Sequence, residues 1–340
     1  MSSLVQNEID RRALYRCLLV LLPLFLVAAL SGDVRWQHAL IPASAALVGL
    51  ERVGLAPLGV IGQGILIILC FVALLFAQEI PLFFVICCAL LAALSVALTW
   101  YAQRLRSLGT FIFVPALYMA CEAAHGSLPA HYPELVYSWL PYILAGVVPV
   151  TLLAAVDHAH CADQDEGSLL RHYLKFHMHK PLGPSMAAGL SVVAVTLSVA
   201  VAALFVVSLH PDNPQWIIWS AASVVTGDWV ASKRKLCDRL LGALVGVPVG
   251  VLLGVLLPQV PLVGLLLSVI TCATVLVLRR YVVSFGVRCA CAACAIVIAH
   301  HALSVASERF FNVALGGLIG AMFVLALHLL SGNKLLEPRQ

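Results

Sequence analysis

Residues 57–100 read PLGVIGQGILIILCFVALLFAQEIPLFFVICCALLAALSVALTW, and within them only Glu79 carries a charge. At 1.5 Å per residue the apolar runs on either side of QEIP, about 57–77 and 81–100, are each long enough to cross roughly 30 Å of hydrocarbon as a helix. Their hydrophobicity is continuous rather than alternating, so they read as helices and not barrel strands. Runs of the same kind recur on both sides of this pair. They lie at about 14–31, 35–50, 108–124 and 137–155, and then at about 185–208, 215–230, 239–257, 260–278, 284–303 and 310–331. A chain of 340 residues that is 62% hydrophobic and 11% charged cannot bury that much apolar surface in one soluble core. The expectation is an all-α polytopic membrane protein of about twelve transmembrane helices, with the lipid bilayer as its solvent.

Charge placement sets the orientation. With the amino terminus inside, the cytoplasmic loops collect Arg11, Arg12, Arg16, Arg52, Arg104, Arg106, Arg171, Lys175, Lys180, Lys233, Arg234, Lys235, Arg239, Arg279, Arg280, Arg288, Lys334 and Arg339. Only Arg35 and Arg309 fall outside. Cytoplasmic loops carry the excess of Lys and Arg, so both termini are expected in the cytoplasm. The net charge of +4 is then a topology signal and gives no basis for nucleic-acid binding. RRALYR followed by an apolar stretch and small residues near Ala28 and Ala29 also fits a cleaved signal peptide. An uncleaved first helix is the better reading, because it completes a symmetry.

That symmetry is an internal duplication offset by about 175–180 residues. VRWQHALIPASAALVG around Trp36 stands against PQWIIWSAASVVTGD around Trp216, and QRLRSLGTF with Gly109 against RRYVVSFGVR with Gly286. Each half then ends in a glycine-bearing helix, LAGVVPV around Gly146 and LGGLIGA around Gly316 and Gly317. Six helices per half is an even number, so the copies are expected as parallel repeats, residues 1–156 and 185–340, with a pathway at their interface. The linker 157–184, DHAHCADQDEGSLLRHYLKFHMHKPLGP, is acidic and then basic, and its second part suits the inner leaflet. Its His158, His160, Cys161, His177 and His179 match no closed tetrahedral spacing, so no metal or other cofactor is expected. Cys289, Cys291 and Cys294 cannot share one helical face at 100° per residue and read as packing residues. Gly242, Gly246, Gly250 and Gly254, at strict intervals of four, put glycine along one face for close helix contact.

WIIWSAASVVTGDWVASKRKLCDRLLGALVGVPVG, residues 216–250, resembles the signature of the fusaric acid resistance family of aromatic-acid exporters. In that family a tryptophan-led helix ends in a turn with aspartate, followed by a basic cluster and Arg-x-x-Gly-x-x-x-Gly. The matching positions are Trp216, Gly227, Asp228, Lys233, Arg234, Arg239, Gly242 and Gly246. ERFFNVALGGLIGA, with Arg309, Asn312 and Gly316, is similar to the helix that closes the family's module, here about 213–330. In the first half Glu51 and Arg52 stand where Asp228 and the basic cluster would be, and the large cytoplasmic domain of long members is reduced to a short linker. The module also resembles plant aluminium-activated malate transporters, which are anion channels. The resemblance implies an inner-membrane exporter of small organic anions, particularly aromatic carboxylates, with a periplasmic adaptor as partner. Alternatives are an anion channel or a membrane assembly subunit of an efflux system. A pseudo-duplicated chain works as its own dimer or pairs again as a homo-oligomer.

Ionisable groups within or beside the spans carry the site reading, since such groups are costly in lipid and face the bundle interior. Arg288, one turn inside its helix, is the candidate for attracting a carboxylate, and snorkelling to the interface is its alternative. Asp228 and Arg239 flank one inner turn, as an ion pair closing a hairpin or as a gate. Arg35, His38, Glu122, His125, His300, His301 and Arg309 are expected to line an outer vestibule. Trp36 and Trp216 form an aromatic belt or stack on substrate. A monoanion leaving an inside-negative cell gains roughly 2.3 kcal/mol per 100 mV, enough for export against about a forty-fold gradient. Membrane potential therefore suffices, with proton motive force as the other drive. No G-x-x-x-x-G-K-[ST] loop is present, and the scattered His residues oppose an enzyme.

Overall fold

The computed structural model describes residues 8–125, 127–162, 186–211, 213–300 and 303–331. They form twelve α-helices: α1 (Arg11–Ser31), α2 (Gln37–Val48), α3 (Pro57–Ala77), α4 (Pro81–Ala97), α5 (Leu105–Ala124), α6 (Tyr132–Ala162), α7 (Met186–Leu209), α8 (Gln215–Val224), α9 (Trp229–Leu256), α10 (Pro261–Val277), α11 (Tyr281–His300) and α12 (Leu303–Ser331). Among the described residues nine helices are long and apolar enough to cross a membrane. The shorter three are α2, α8 and α10, of 12, 10 and 17 residues.

Reading 215–230 as a full span therefore needs correcting, whereas 35–50 lies within an unbroken helical run over 34–53. At 1.5 Å per residue α2 and α8 reach only about 18 and 15 Å. A 3-10 turn at Val34–Trp36 and a π-helical turn at Gly49–Val53 prolong α2 at its two ends. By contrast, α8 stops at Val225, whose backbone is extended, and Gly227 turns the chain at φ 97°. Hydropathy averages side-chain transfer energies and does not register this break in backbone direction. The linker region departs from its expected start as well, because α6 continues through Asp157 to Ala162. Residues 163–185, and with them Arg171, Lys175, His177, His179 and Lys180, lie outside the described residues, as do His301, Lys334 and Arg339.

Proline at the first position opens α3, α4 and α10, where its missing N–H is not needed. Aspartate caps α1 and α9: Asp10 accepts from the amides of Arg12 and Ala13, and Asp228 from those of Val230 and Ala231. Corresponding helices pair in the two halves. In the first, α2 packs on α6, and α3 on α5 and α6; in the second, α8 packs on α12, and α9 on α11 and α12. Between the halves α4 lies on α7 and α1 on α10. Small residues allow the closest contacts. A methyl added at Gly146 would meet the Ala39 carbonyl, at Gly316 that of Ile217, and at Gly250 that of Ala290.

At the end of the bundle where α1 begins, the halves clasp one another through backbone and charge. The Asp10 amide donates to the Val277 carbonyl at 2.9 Å, the Arg279 amide to that of Glu8 at 3.0 Å, and Arg280 Nε meets Glu8 Oε1 at 2.6 Å. Arg16 of α1 holds both Glu51 and, at 2.7 Å, Asp157 of α6. Arg52 reaches across to the Val275 carbonyl at 2.7 Å.

Candidate functional site

Three arginines of the second half are buried in the bundle: Arg239 (2% exposed), Arg288 (7%) and Arg309 (5%). Arg239 Nη1 donates to Tyr281 Oη at 3.0 Å, and its guanidinium carbon lies 4.3 Å from the Phe285 ring centroid and 5.8 Å from that of Trp219. One turn along α11, Arg288 Nε donates to the Ser284 carbonyl at 3.2 Å while its guanidinium faces Phe285 and Tyr281 at 5.5 and 5.9 Å. Arg309 of α12 sits 4.4 Å over the Trp216 ring at the start of α8. Among the described residues none of the three pairs with a carboxylate, and the Nε atoms of Arg239 and Arg309 have no hydrogen-bond partner. Aromatic faces stand where acids are usual, which keeps each cation tolerably solvated without neutralising it.

These cations form a string. Arg288 lies within electrostatic reach of both Arg239 and Arg309. Lys235, one turn before Arg239, feels Arg239, Arg106, Arg288 and Arg52, and its Nζ is 5.7 Å from the Tyr281 ring. Tyr118 of α5 is within reach of Glu122, Arg309 and Cys272, so the first half contributes one wall beside Arg309. The string thus begins near the Val225 end of α8, where Lys235 and Ser223 line one cleft, and ends near the opposite end, at Trp216.

Asp228, Arg35, His38 and Trp36 separate from it. Asp228 is exposed and caps α9, eleven residues and about 16 Å from Arg239 along one helix. The pair therefore makes no ion pair, and the hairpin closure read from sequence is corrected. Arg35 is exposed and held by Asp33 (Nε to Oδ1, 2.9 Å), which in turn accepts from Tyr142 Oη at 2.9 Å. His38 stacks on Trp139 with centroids 3.9 Å apart, and Trp36 meets Tyr142 edge-on at 5.5 Å. Arg35, His38 and Trp36 thus belong to an aromatic cluster of α2 and α6 rather than to the surroundings of Arg309. Glu122 is exposed near the end of α5, and Asn312 is buried on α12. His300 closes α11, and its side chain lies outside the described residues.

Sequence reasoning passed over Arg106, Lys235, Tyr281 and Tyr118. Arg106 and Lys235 counted there only as cytoplasmic charges, although QRLRSLG and SKRKLCDR place each inside a helix rather than before it. Arg106, partly buried, donates from Nη1 to the Thr226 carbonyl at 2.8 Å and from Nη2 to that of Val225. It crosses from α5 to the broken end of α8.

The turn at Gly227, the cap at Asp228, the basic run Lys233–Lys235 and the glycine face from Gly242 now stand on one hairpin. Residues 192–323 match the fusaric acid resistance protein-like family. The match runs from within α7 into α12 and covers less than half of the chain, leaving α1–α6 outside it. Together with the many apolar helices the match supports a multi-pass membrane protein of the transport and efflux kind, and speaks for a transporter rather than an enzyme. No curated protein and no solved structure matches the chain.

Proposed function

We propose that this protein exports small organic anions, aromatic carboxylates in particular, across the inner membrane along a path between its two halves. The observation that carries the reading is the string Lys235, Arg239, Arg288 and Arg309, buried or half-buried and lacking acidic partners among the described residues. A buried cation without a counter-charge is costly, and a passing carboxylate supplies that counter-charge transiently. Tyr281, Phe285, Trp219 and Trp216 beside the arginines suit an aromatic body. The short helices α2 and α8 occupy corresponding places in the halves, as interrupted helices do around transporter binding sites.

The matched helix pairings of the first and second six helices support two parallel repeats, 1–156 and 185–340, joined by the linker 157–184. The Lys/Arg bias supports cytoplasmic termini. Membrane potential is the simplest drive, with proton motive force as the alternative. A periplasmic adaptor and further self-association are proposed as partners on the strength of the resemblance. An anion channel would use the same path.

The test is efflux of preloaded benzoate from proteoliposomes containing the purified protein, with potential and pH gradient imposed separately. Flux that follows potential is expected. A requirement for the pH gradient would establish proton coupling, and flux no greater than from empty liposomes would overturn the reading for this substrate class.

A further inference from the structure

One stripe of α5, with Arg106, Thr110 and Phe113 at positions i, i+4 and i+7, lines a cleft between the halves. Lys235 forms the facing cation, Ser95 of α4 and Ser223 of α8 add hydroxyls, and Val195 of α7 adds apolar surface. Among the described residues no acidic side chain lines it. The hydroxyls of Ser95, Thr110 and Ser223 already donate to backbone carbonyls of their own helices, at 2.7, 3.0 and 3.2 Å. Among the described residues the side-chain donors left for an incoming anion are therefore Arg106 and Lys235. Exposed Lys233 and Arg234 flank the same end of α9 and attract anions toward it.

We infer that this cleft is the loading site for the exported anion, taking one carboxylate head with an apolar body behind it, and that the anion draws Arg106 off the end of α8. The inference rests on the export reading above. In the present conformation the cleft has room for only a few waters, so a head group fits before a ring does. Arg106 is occupied by the carbonyls of Val225 and Thr226, whose helix end carries about half a negative charge. A carboxylate brings a whole charge and a bidentate acceptor, and so competes for the guanidinium. Releasing it frees the extended stretch between α8 and α9, and opens the cleft toward Phe113 and Val195. Lys235, within reach of Arg239 and Arg288, then passes the anion to the buried string.

The test uses the full chain in nanodiscs, with benzoate as probe and uncharged benzamide as control, binding being followed by calorimetry. Wild type is expected to bind benzoate and not benzamide. Lys235→Gln touches neither α8 carbonyl and is expected to weaken binding about tenfold, the worth of one charge-assisted hydrogen bond. Arg106→Lys should bind better than Arg106→Gln. Hydrogen exchange at residues 225–228 should rise with benzoate in wild type and not in Arg106→Gln. Failure of wild type to bind benzoate, undiminished binding in Lys235→Gln and Arg106→Gln, or protection instead of faster exchange would each overturn the inference. Efflux measured in parallel separates the two readings: Lys235-dependent binding without efflux sinks export and keeps the site, whereas efflux with unaltered binding in Lys235→Gln sinks the site and keeps export.

Discussion

Arg309 reaches from α12 to lie 4.4 Å over the ring of Trp216, so α12 closes on the first turn of α8. The contact is a desolvated cation–π pair, worth about 2 kcal/mol. Replacing Trp216 with Leu strands a buried guanidinium whose Nε already lacks a partner. Thermal unfolding in nanodiscs should show a loss of about 2 kcal/mol or more, and Trp216→Phe should recover part of it.

Arg239 and Arg288 share Tyr281 and Phe285, and each is expected to contribute to anion passage. With charge-assisted hydrogen bonds at about 1.5–3 kcal/mol, Arg288→Gln should cut benzoate efflux by roughly ten- to a hundred-fold. Arg288→Lys keeps the charge without the fork and should fall between. Efflux unchanged in Arg239→Gln and Arg288→Gln together would remove both from the path.

Gly250 and Gly264 make a contrasting pair. A methyl at Gly250 would run into the Ala290 carbonyl of α11, which is backbone and cannot swing away, whereas at Gly264 of α10 nothing lies within 4 Å. Gly250→Ala should lower the unfolding temperature by separating α9 from α11. Gly264→Ala should be neutral, or stabilising by up to about 1 kcal/mol through helix propensity.

Arg35 holds the Asp33 carboxyl down at about 2, chiefly through its hydrogen bond. A depressed carboxylate contributes stability that is present above its unfolded value near 4 and is lost as pH falls through the folded value. Wild type and Asp33→Asn should therefore differ in unfolding temperature at neutral pH and converge as pH drops from about 4 toward 2. A difference that persisted at pH 2 would assign the effect to packing around Tyr142.

Much of this architecture was legible in the chain. Runs such as 57–77 and 81–100 match α3 and α4 closely, because proline at the first helical position and Gln78–Ile80 mark their limits. The glycine face from Gly242 to Gly254 was legible for a similar reason: a spacing of four defines a side of a helix, and α11 lies against that side. The pairing of Asp228 with Arg239 was misread because nearness to one turn does not bring a helix cap together with a residue three turns further along the same helix. Tyr281 was passed over because a tyrosine after two arginines looks like an interface anchor until Arg239 is seen to donate to it.

The sequence by itself determined the solvent, the helix order and the helix faces, since hydropathy and periodicity are properties of consecutive residues. Only the tertiary structure decided that α8 breaks at Val225 and that Arg106, Lys235, Arg288 and Arg309 form one series, each within electrostatic reach of the next. Those four stand on α5, α9, α11 and α12, and what brings them together is the packing of helices far apart in the chain, which no local pattern encodes.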